Sequence, residues 1–204
     1  PALSHDLPPV QMAIGVPGGN EDIIHLVRCA LEAKHDYVAV KTDLTNAYGS
    51  VRRSSIFNAI KEIAPIGVGE LTKWFLKNHL SSPSRYLPEG QPAMTYSRGV
   101  AQGGPMSMFL FCRTLQSTLL KAQQLIFDKH GGNGIVVASA DDTTFLAPPA
   151  VAFEAVDLFC AEVAKIGLQL NPSKSSTLVI SPPIQAEASA LAAARNFPEP
   201  VKVL

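Results

Sequence analysis

The chain has 204 residues, 47% of them apolar and 17% charged, and a formal net charge of zero. Such a balance excludes a disordered chain and a strongly basic nucleic-acid binder, and a domain of this length buries about 70% of its unfolded surface. No secretory signal is visible, and the longest apolar stretch, near Met106, is cut by Arg113, far short of the ~20 residues of a membrane span.

Cys29, Cys112 and Cys160 show neither zinc spacing nor a disulfide framework, which predicts three buried thiols in a reducing compartment, cytoplasm or nucleus alike. Between Lys41 and Arg98 lie eight basic residues (Lys41, Arg52, Arg53, Lys61, Lys73, Lys77, Arg85, Arg98) and four acidic ones (Asp43, Glu62, Glu70, Glu89). That local surplus suits phosphate contact and suits a solvated surface equally.

The first ten residues, with Pro1, Pro8 and Pro9, read as an extended lead-in, and Gly15 to Gly19 as a turn. A helix is predicted from about Asp22 to Ala33, with Ile23, Ile24, Val27, Ala30 and Leu31 on one face. A strand follows over Tyr37–Thr42; alternation puts Val38, Val40 and Thr42 on one face and Lys41 and Asp43 on the other. Ser54 or Ser55 caps a helix to about Ala64, stopped by Pro65, and a second runs from Glu70 to Leu80. Arg85 to Ser97 reads as a loose hairpin interrupted by Pro88, Gly90 and Pro92.

A long helix is predicted from Pro105 or Met106, turning Phe109, Leu110, Leu115, Leu119 and Leu120 inward. Ile135–Ala138 and Thr143–Leu146 then read as two strands around the turn Ser139-Ala140-Asp141-Asp142. Two carboxylates at a hairpin tip repel each other, so the arrangement asks for a cation or a basic partner. If the Tyr37–Thr42 strand is a neighbour, Asp43, Asp141 and Asp142 converge, as they must to hold magnesium for phosphoryl transfer. A helix over Ala150–Ile166 ends on Gly167, a strand spans Ser176 to Ile180, and an alanine-rich helix covers Ala186–Arg195. The expected fold class is α+β: an antiparallel sheet backed by helices on one face.

Four segments in fixed order narrow the reading. They are Lys41-Thr42-Asp43-Leu44-Thr45-Asn46-Ala47-Tyr48, the glycine-rich Arg98-Gly99-Val100-Ala101-Gln102-Gly103-Gly104, the hairpin Ala140-Asp141-Asp142, and Gly167-Leu168-Gln169-Leu170-Asn171-Pro172-Ser173-Lys174. In this order they resemble motifs A, B, C and D of a reverse transcriptase palm, closest in flavour to non-LTR (LINE-type) retrotransposon enzymes. Gln11-Met12-Ala13-Ile14-Gly15-Val16 resembles the segment that leads from fingers to palm.

The resemblance implies RNA-templated DNA synthesis by two Mg²⁺ ions (Mn²⁺ as a substitute), with an RNA template, a DNA primer and deoxynucleoside triphosphates as partners and no membrane. Asp43 and Asp141 match the family's metal ligands, and Asp142 its second, less directly coordinating carboxylate. Tyr48 matches the residue beneath the incoming sugar, where an aromatic ring excludes a 2′-hydroxyl. Gly99, Gln102 and Gly103 match the loop against the nascent base pair; for Gln102 a loop-capping amide is the other reading. Lys174 matches a lysine that donates a proton to pyrophosphate, or is a solvated lysine after a proline turn. Residues 1–36 are expected to be lead-in and partial fingers and residues 37–204 the palm, a piece truncated at both ends.

The pattern has departures. Ser139 stands where the family usually has an aromatic, and Gly104 and Met108 replace a polar residue and a proline of the loop. A decayed or domesticated palm that binds RNA without catalysis is therefore a second reading. A viral RNA polymerase is disfavoured by Tyr48, and a nucleotide cyclase by the Gln102 loop.

Overall fold

A computed structural model describes residues 7–62, 69–75, 77, 84–86, 94–104 and 106–202. The core is a five-stranded sheet in the order β4-β5-β1-β6-β7, formed by β1 (Val38–Thr42), β4 (Ile135–Ser139), β5 (Asp142–Ala147), β6 (Ser176–Val179) and β7 (Val201–Lys202). All pairings are antiparallel except β6 with β7, which is parallel. β1 sits in the centre, opposite Thr143–Ala147 of β5 and Ser176–Val179 of β6. Its β-branched and small residues suit a strand with neighbours on both edges. Of its five positions only Lys41 is exposed.

One face carries α5 (Ser107–Lys129) and α6 (Pro149–Lys165), with α3 (Arg53–Glu62) against α5 and α7 (Pro182–Ala193) against α6. Phe111, Leu115 and Leu119 of α5 and Phe153, Phe159 and Val163 of α6 are fully buried with Val38, Val40 and Phe145 of the sheet. Each such large side chain contributes about 1.5–3 kcal/mol on burial. Phe145 and Phe159 meet edge to face at 5.5 Å.

The remaining described elements are α1 (Gly19–Ala33), α2 (Ala47–Ser50), α4 (Gly69–Phe75) and the small antiparallel pair β2 (Ser84–Tyr86) and β3 (Met94–Tyr96). The α+β fold with an antiparallel core read from the sequence is the one observed, and the pair β2–β3 is the loose hairpin. The predicted helix stop at Pro65, the end of the Glu70–Leu80 helix, the helix start at Pro105, the interruptions at Pro88, Gly90 and Pro92, and the opening residues 1–6 lie outside the described residues.

Three expectations are corrected. Helices do not lie on one face alone: α1 crosses the opposite face, where Leu31 packs with Tyr37, Ala39 and Leu146. Leu120 is turned to solvent, because at 100° per residue the neighbour of an inward Leu119 points away from the sheet. The thiols are not all buried: Cys112 is, Cys160 is half-buried and Cys29 is exposed on the outer side of α1.

The end of α6 follows its sequence signal closely. Gly167 takes φ 89°, its N–H bonds to Ala164 O at 3.1 Å, and the Leu168 N–H reaches Val163 O at 2.9 Å. These two bonds satisfy the last carbonyls of the helix in a Schellman arrangement. Among the described residues no helix is long and apolar enough to cross a membrane.

Candidate active site

The end of β1, the β4–β5 turn, α2, the 98–104 loop and the turn before β6 meet around a cleft of about 250 Å³. Asp43, Asp141, Tyr48, Gln102 and Lys174 all line it, together with Asn46 and Asn171. Five residues singled out in four separate sequence segments are thus brought to one place.

Asp43 is positioned by the strand it terminates and by the segment before β6. The Asn171 N–H bonds to Asp43 O at 2.8 Å and the Thr45 N–H to Gln169 O at 2.8 Å, so the two segments run side by side. The Ser175 hydroxyl accepts the Asp43 N–H at 3.3 Å and donates to Asn171 O at 2.9 Å. Ser175 is itself buried, so its hydroxyl is held in place as it ties the two backbone segments together.

Asp141 sits in the two-residue turn between Ser139 and Asp142, which pair across β4 and β5. Ala140 takes φ 55°, a left-handed conformation that costs a residue with a Cβ about 1–2 kcal/mol. The side chain of Gln11, from the far end of the chain, holds this residue: its Oε1 accepts the Ala140 N–H at 2.8 Å and its Nε2 donates to Ala140 O at 3.1 Å. Burial pushes the Asp141 carboxyl above its ordinary range. Its backbone hydrogen bond pulls it down, the charges of Asp142 and Asp43 push it further up, and Lys41 pulls it down.

Asp142 does not join the cleft. It belongs to the face of the sheet that carries Lys41, Ser139 and Thr144, and it lines a groove of about 720 Å³ beneath α1. There Lys41 Nζ lies 3.0 Å from Asp142 Oδ2. The three-way convergence is therefore reduced to two: strand alternation sends the residue after Asp141 to the other side. Lys41, which alternation places on the face of Asp43, parts from it and neutralises part of the acidic hairpin from the α1 side. Among the described residues no three His, Cys, Asp or Glu side chains stand close enough together to hold a metal ion.

Asp43 and Asp141 nevertheless suit a hard divalent cation. They are oxygen donors in one polar cleft, and the burial and like charge that raise Asp141 are what a bound cation relieves.

Tyr48 stacks on Phe111 with ring centroids 4.7 Å apart and planes at 22°. Burial, then Cys112 and Asp141, push its phenol up to about 12, so the ring stays neutral in any ordinary buffer. The glycine-rich loop is fastened directly to it. Gly99 N–H bonds to Val51 O and Val100 N–H to Tyr48 O, both at 2.8 Å, and Arg53 Nε donates to Gly99 O at 3.1 Å. Gly99 has φ 69°, and a Cβ there would collide with the carbonyl of Tyr48 and the backbone of Gly49. Gly103 also has positive φ, 84°, but faces open space, and neither glycine lines the cleft. Gln102 and Lys174 are exposed at its rim. Ser139 donates to Asn20 Oδ1 at 2.5 Å, tying the hairpin to the start of α1.

Sequence reasoning did not single out Asn46, Ser175 or the contact of Gln11. Asn46 carried a signal, since an asparagine just before a helix tolerates the left-handed φ of 44° it adopts. The pairing of Gln11 with Ala140 spans 129 residues and leaves no local pattern.

An α+β fold thus brings two carboxylates, a tyrosine and the glutamine of a glycine-rich loop to one cleft. The profile of the family described as reverse transcriptase (RNA-dependent DNA polymerase) matches residues 3–203, and the chain belongs to that family. A curated relative is the retrovirus-related Pol polyprotein from type-1 retrotransposable element R2 of Popillia japonica, 29% identical over 158 residues. The non-LTR flavour of the motifs agrees with that relative. The match covers 74% of this chain and 22% of the relative, so the chain spans about a fifth of the relative's length.

Solved structures similar to this chain include those of Candida tropicalis telomerase. The apo enzyme truncated from its C-terminal domain gives a TM-score of 0.63 at 17% identity, over 86% of this chain and 39% of that one. The apo enzyme without that truncation gives 0.64 at 14% identity, over 86% and 35%. At these identities the likeness shows the fold alone.

Proposed function

We propose that this chain supplies the catalytic palm of an RNA-templated DNA polymerase, with residues 1–36 leading in and residues 37–204 forming the palm. The observation that carries this reading is the meeting of Asp43, Asp141, Tyr48 and Gln102 around one cleft. Asp43 and Asp141 would hold divalent magnesium, which when bound lowers the pKa of the primer 3′-hydroxyl and neutralises charge on the departing pyrophosphate.

The chain's own residues do the rest. Tyr48, fixed by its stack on Phe111, offers a flat wall to the sugar of the incoming deoxynucleotide. Gln102 at the cleft rim faces the new base pair, with the backbone behind it held by Gly99 against Tyr48. Lys174, exposed at the cleft, hands a proton to pyrophosphate in this reading. An RNA template, a DNA primer and deoxynucleotides are the partners this chemistry needs.

A second reading rests on Asp142, which is paired with Lys41 outside the cleft. In it the palm is a catalytically silent RNA-binding module. Primer extension on an RNA template with Mg²⁺ separates the two. Extension abolished by Asp141→Asn supports the polymerase; RNA binding without extension supports the silent module.

A further inference from the structure

We propose that Gln11 is the positioning residue of the catalytic hairpin, fixing the direction in which Asp141 enters the cleft. The inference rests on reading Asp141 as a site carboxylate, and it concerns a residue to which that chemistry assigns no part.

A peptide plane is rigid, so a chain turns only at its α-carbons. The Ala140 N–H belongs to the plane shared with Ser139, and the Ala140 carbonyl to the plane shared with Asp141. Gln11 binds both. One carboxamide therefore clamps the two planes on either side of Ala140 and sets both of its dihedral angles. The second plane includes the nitrogen of Asp141, so holding the Ala140 carbonyl orients the residue that carries the carboxylate.

The clamp acts where the chain needs it. Ala140 is in the left-handed region at φ 55°, a conformation alanine leaves when nothing holds it. It is also buried, so water does not replace the two hydrogen bonds. The amide orientation follows from the partners: Ala140 N–H requires an oxygen and Ala140 O a donor, and only one rotamer of the carboxamide supplies both.

Gln11 is itself held. It is 0% exposed, and its N–H bonds to Leu7 O at 2.9 Å. Its neighbours pair with β4 on both sides, Ala138 N–H to Val10 O and Met12 N–H to Ala138 O, each at 2.7 Å. Gln116 of α5 donates to Leu7 O at 3.1 Å, which anchors the segment to the helix layer. A side chain held this firmly is a template for the hairpin rather than a follower of it.

The test compares the parent chain with Gln11→Met, which keeps the length of the side chain and removes its hydrogen bonds. Three quantities are read: Mn²⁺ affinity by electron paramagnetic resonance of free ion, amide hydrogen exchange at Ala140 and along β4, and kcat and KM in primer extension. Supporting results are a 10–100-fold loss of Mn²⁺ affinity and of kcat, KM for the nucleotide unchanged, and exchange accelerated at Ala140 while Val136 and Val137 stay protected. Parental Mn²⁺ affinity and parental Ala140 protection overturn the proposal. So does a uniform loss of protection along β4 and β5, which marks a merely structural glutamine.

Should Gln11→Met not fold, Gln11→Asn keeps the amide one methylene short of Ala140 and is judged by the same readouts. Failure of the polymerase reading looks different: the parent chain then extends no primer, or Asp141→Asn extends as well as the parent. The Mn²⁺ and exchange arms decide the role of Gln11 in either case.

Discussion

Lys41 Nζ and Asp142 Oδ2 form an ion pair 3.0 Å long on the α1 side of the sheet, while Asp141, one residue earlier, lines the cleft with Asp43. Both partners are about half exposed, and such a pair contributes roughly 0.2–1 kcal/mol. A tenfold rate change corresponds to about 1.4 kcal/mol. Asp142→Asn is therefore expected to lower turnover by less than ~10-fold, and Asp43→Asn or Asp141→Asn by ~10²–10³-fold or more. Single-turnover primer extension with the three variants measures this directly. Equal losses across the three would put Asp142 in the cleft of the working enzyme.

The raised carboxyl of Asp141 makes a pH prediction with a definite sign. Between its ordinary pKa of 3.8 and its higher folded value, the folded chain binds more protons at this residue than the unfolded chain does. The contribution of Asp141 to stability therefore falls as pH rises through that window and is constant above it. Without divalent cation at neutral pH, Asp141→Asn should melt at or above the temperature of the parent. Added Mg²⁺ reverses the order, since at 100 times its Kd a ligand adds about 2.7 kcal/mol to the chain that binds it. Melting curves in chelator and in Mg²⁺ suffice; a parent that gains nothing from Mg²⁺ contradicts the metal assignment.

Gly99 and Gly103 share a positive φ but not their surroundings, and alanine substitution separates the two effects. At Gly103 the new Cβ meets open space, so only the left-handed penalty of about 1–2 kcal/mol applies. At Gly99 the Cβ strikes the Tyr48 carbonyl, and the loop must leave α2 to make room. Gly99→Ala should lower the melting temperature by more than the ~2–8 °C expected of Gly103→Ala. It should also disturb nucleotide KM, because the displaced atoms carry Tyr48. Indistinguishable melting curves for the two variants would show that the loop does not depend on its docking.

The elements that follow one local rule were legible in the sequence. β1 forms where the apolar run predicts a strand, although four of its five positions are buried and Asp43 parts from Lys41; α6 ends on a glycine in a Schellman turn, and the acidic hairpin is bounded by apolar runs. The site residues were legible as types in order, and four sequence segments do converge on the cleft. What sequence did not reveal is set by tertiary geometry. Asp142 turns away because alternation across a two-residue turn separates it from Asp141. Gln11 and Ser175 act through backbone atoms, which leave no trace in residue type. Helix α1 covers the second sheet face because Leu31, Tyr37 and Ala39 form a small cluster there, and an amphipathic helix does not announce which face it will cover.

Tyr48 offers the sharpest test of substrate choice. Its ring is half-buried, stacked on Phe111 and kept neutral by a phenol pushed up to about 12, so the proposed contact with the sugar is one of shape rather than charge. Tyr48→Phe keeps the ring and the stack, and should discriminate between deoxynucleotides and ribonucleotides as the parent does. Tyr48→Ala opens the wall beneath the sugar. A steric contact of this size is worth about 1–3 kcal/mol, so the ratio of kcat/KM for the two sugars should fall by roughly 10–200-fold. The comparison is made on one RNA template with matched deoxy- and ribonucleoside triphosphates. A ratio that stays at the parental value in Tyr48→Ala would make Tyr48 a packing residue under Phe111 and place sugar selection elsewhere in the cleft.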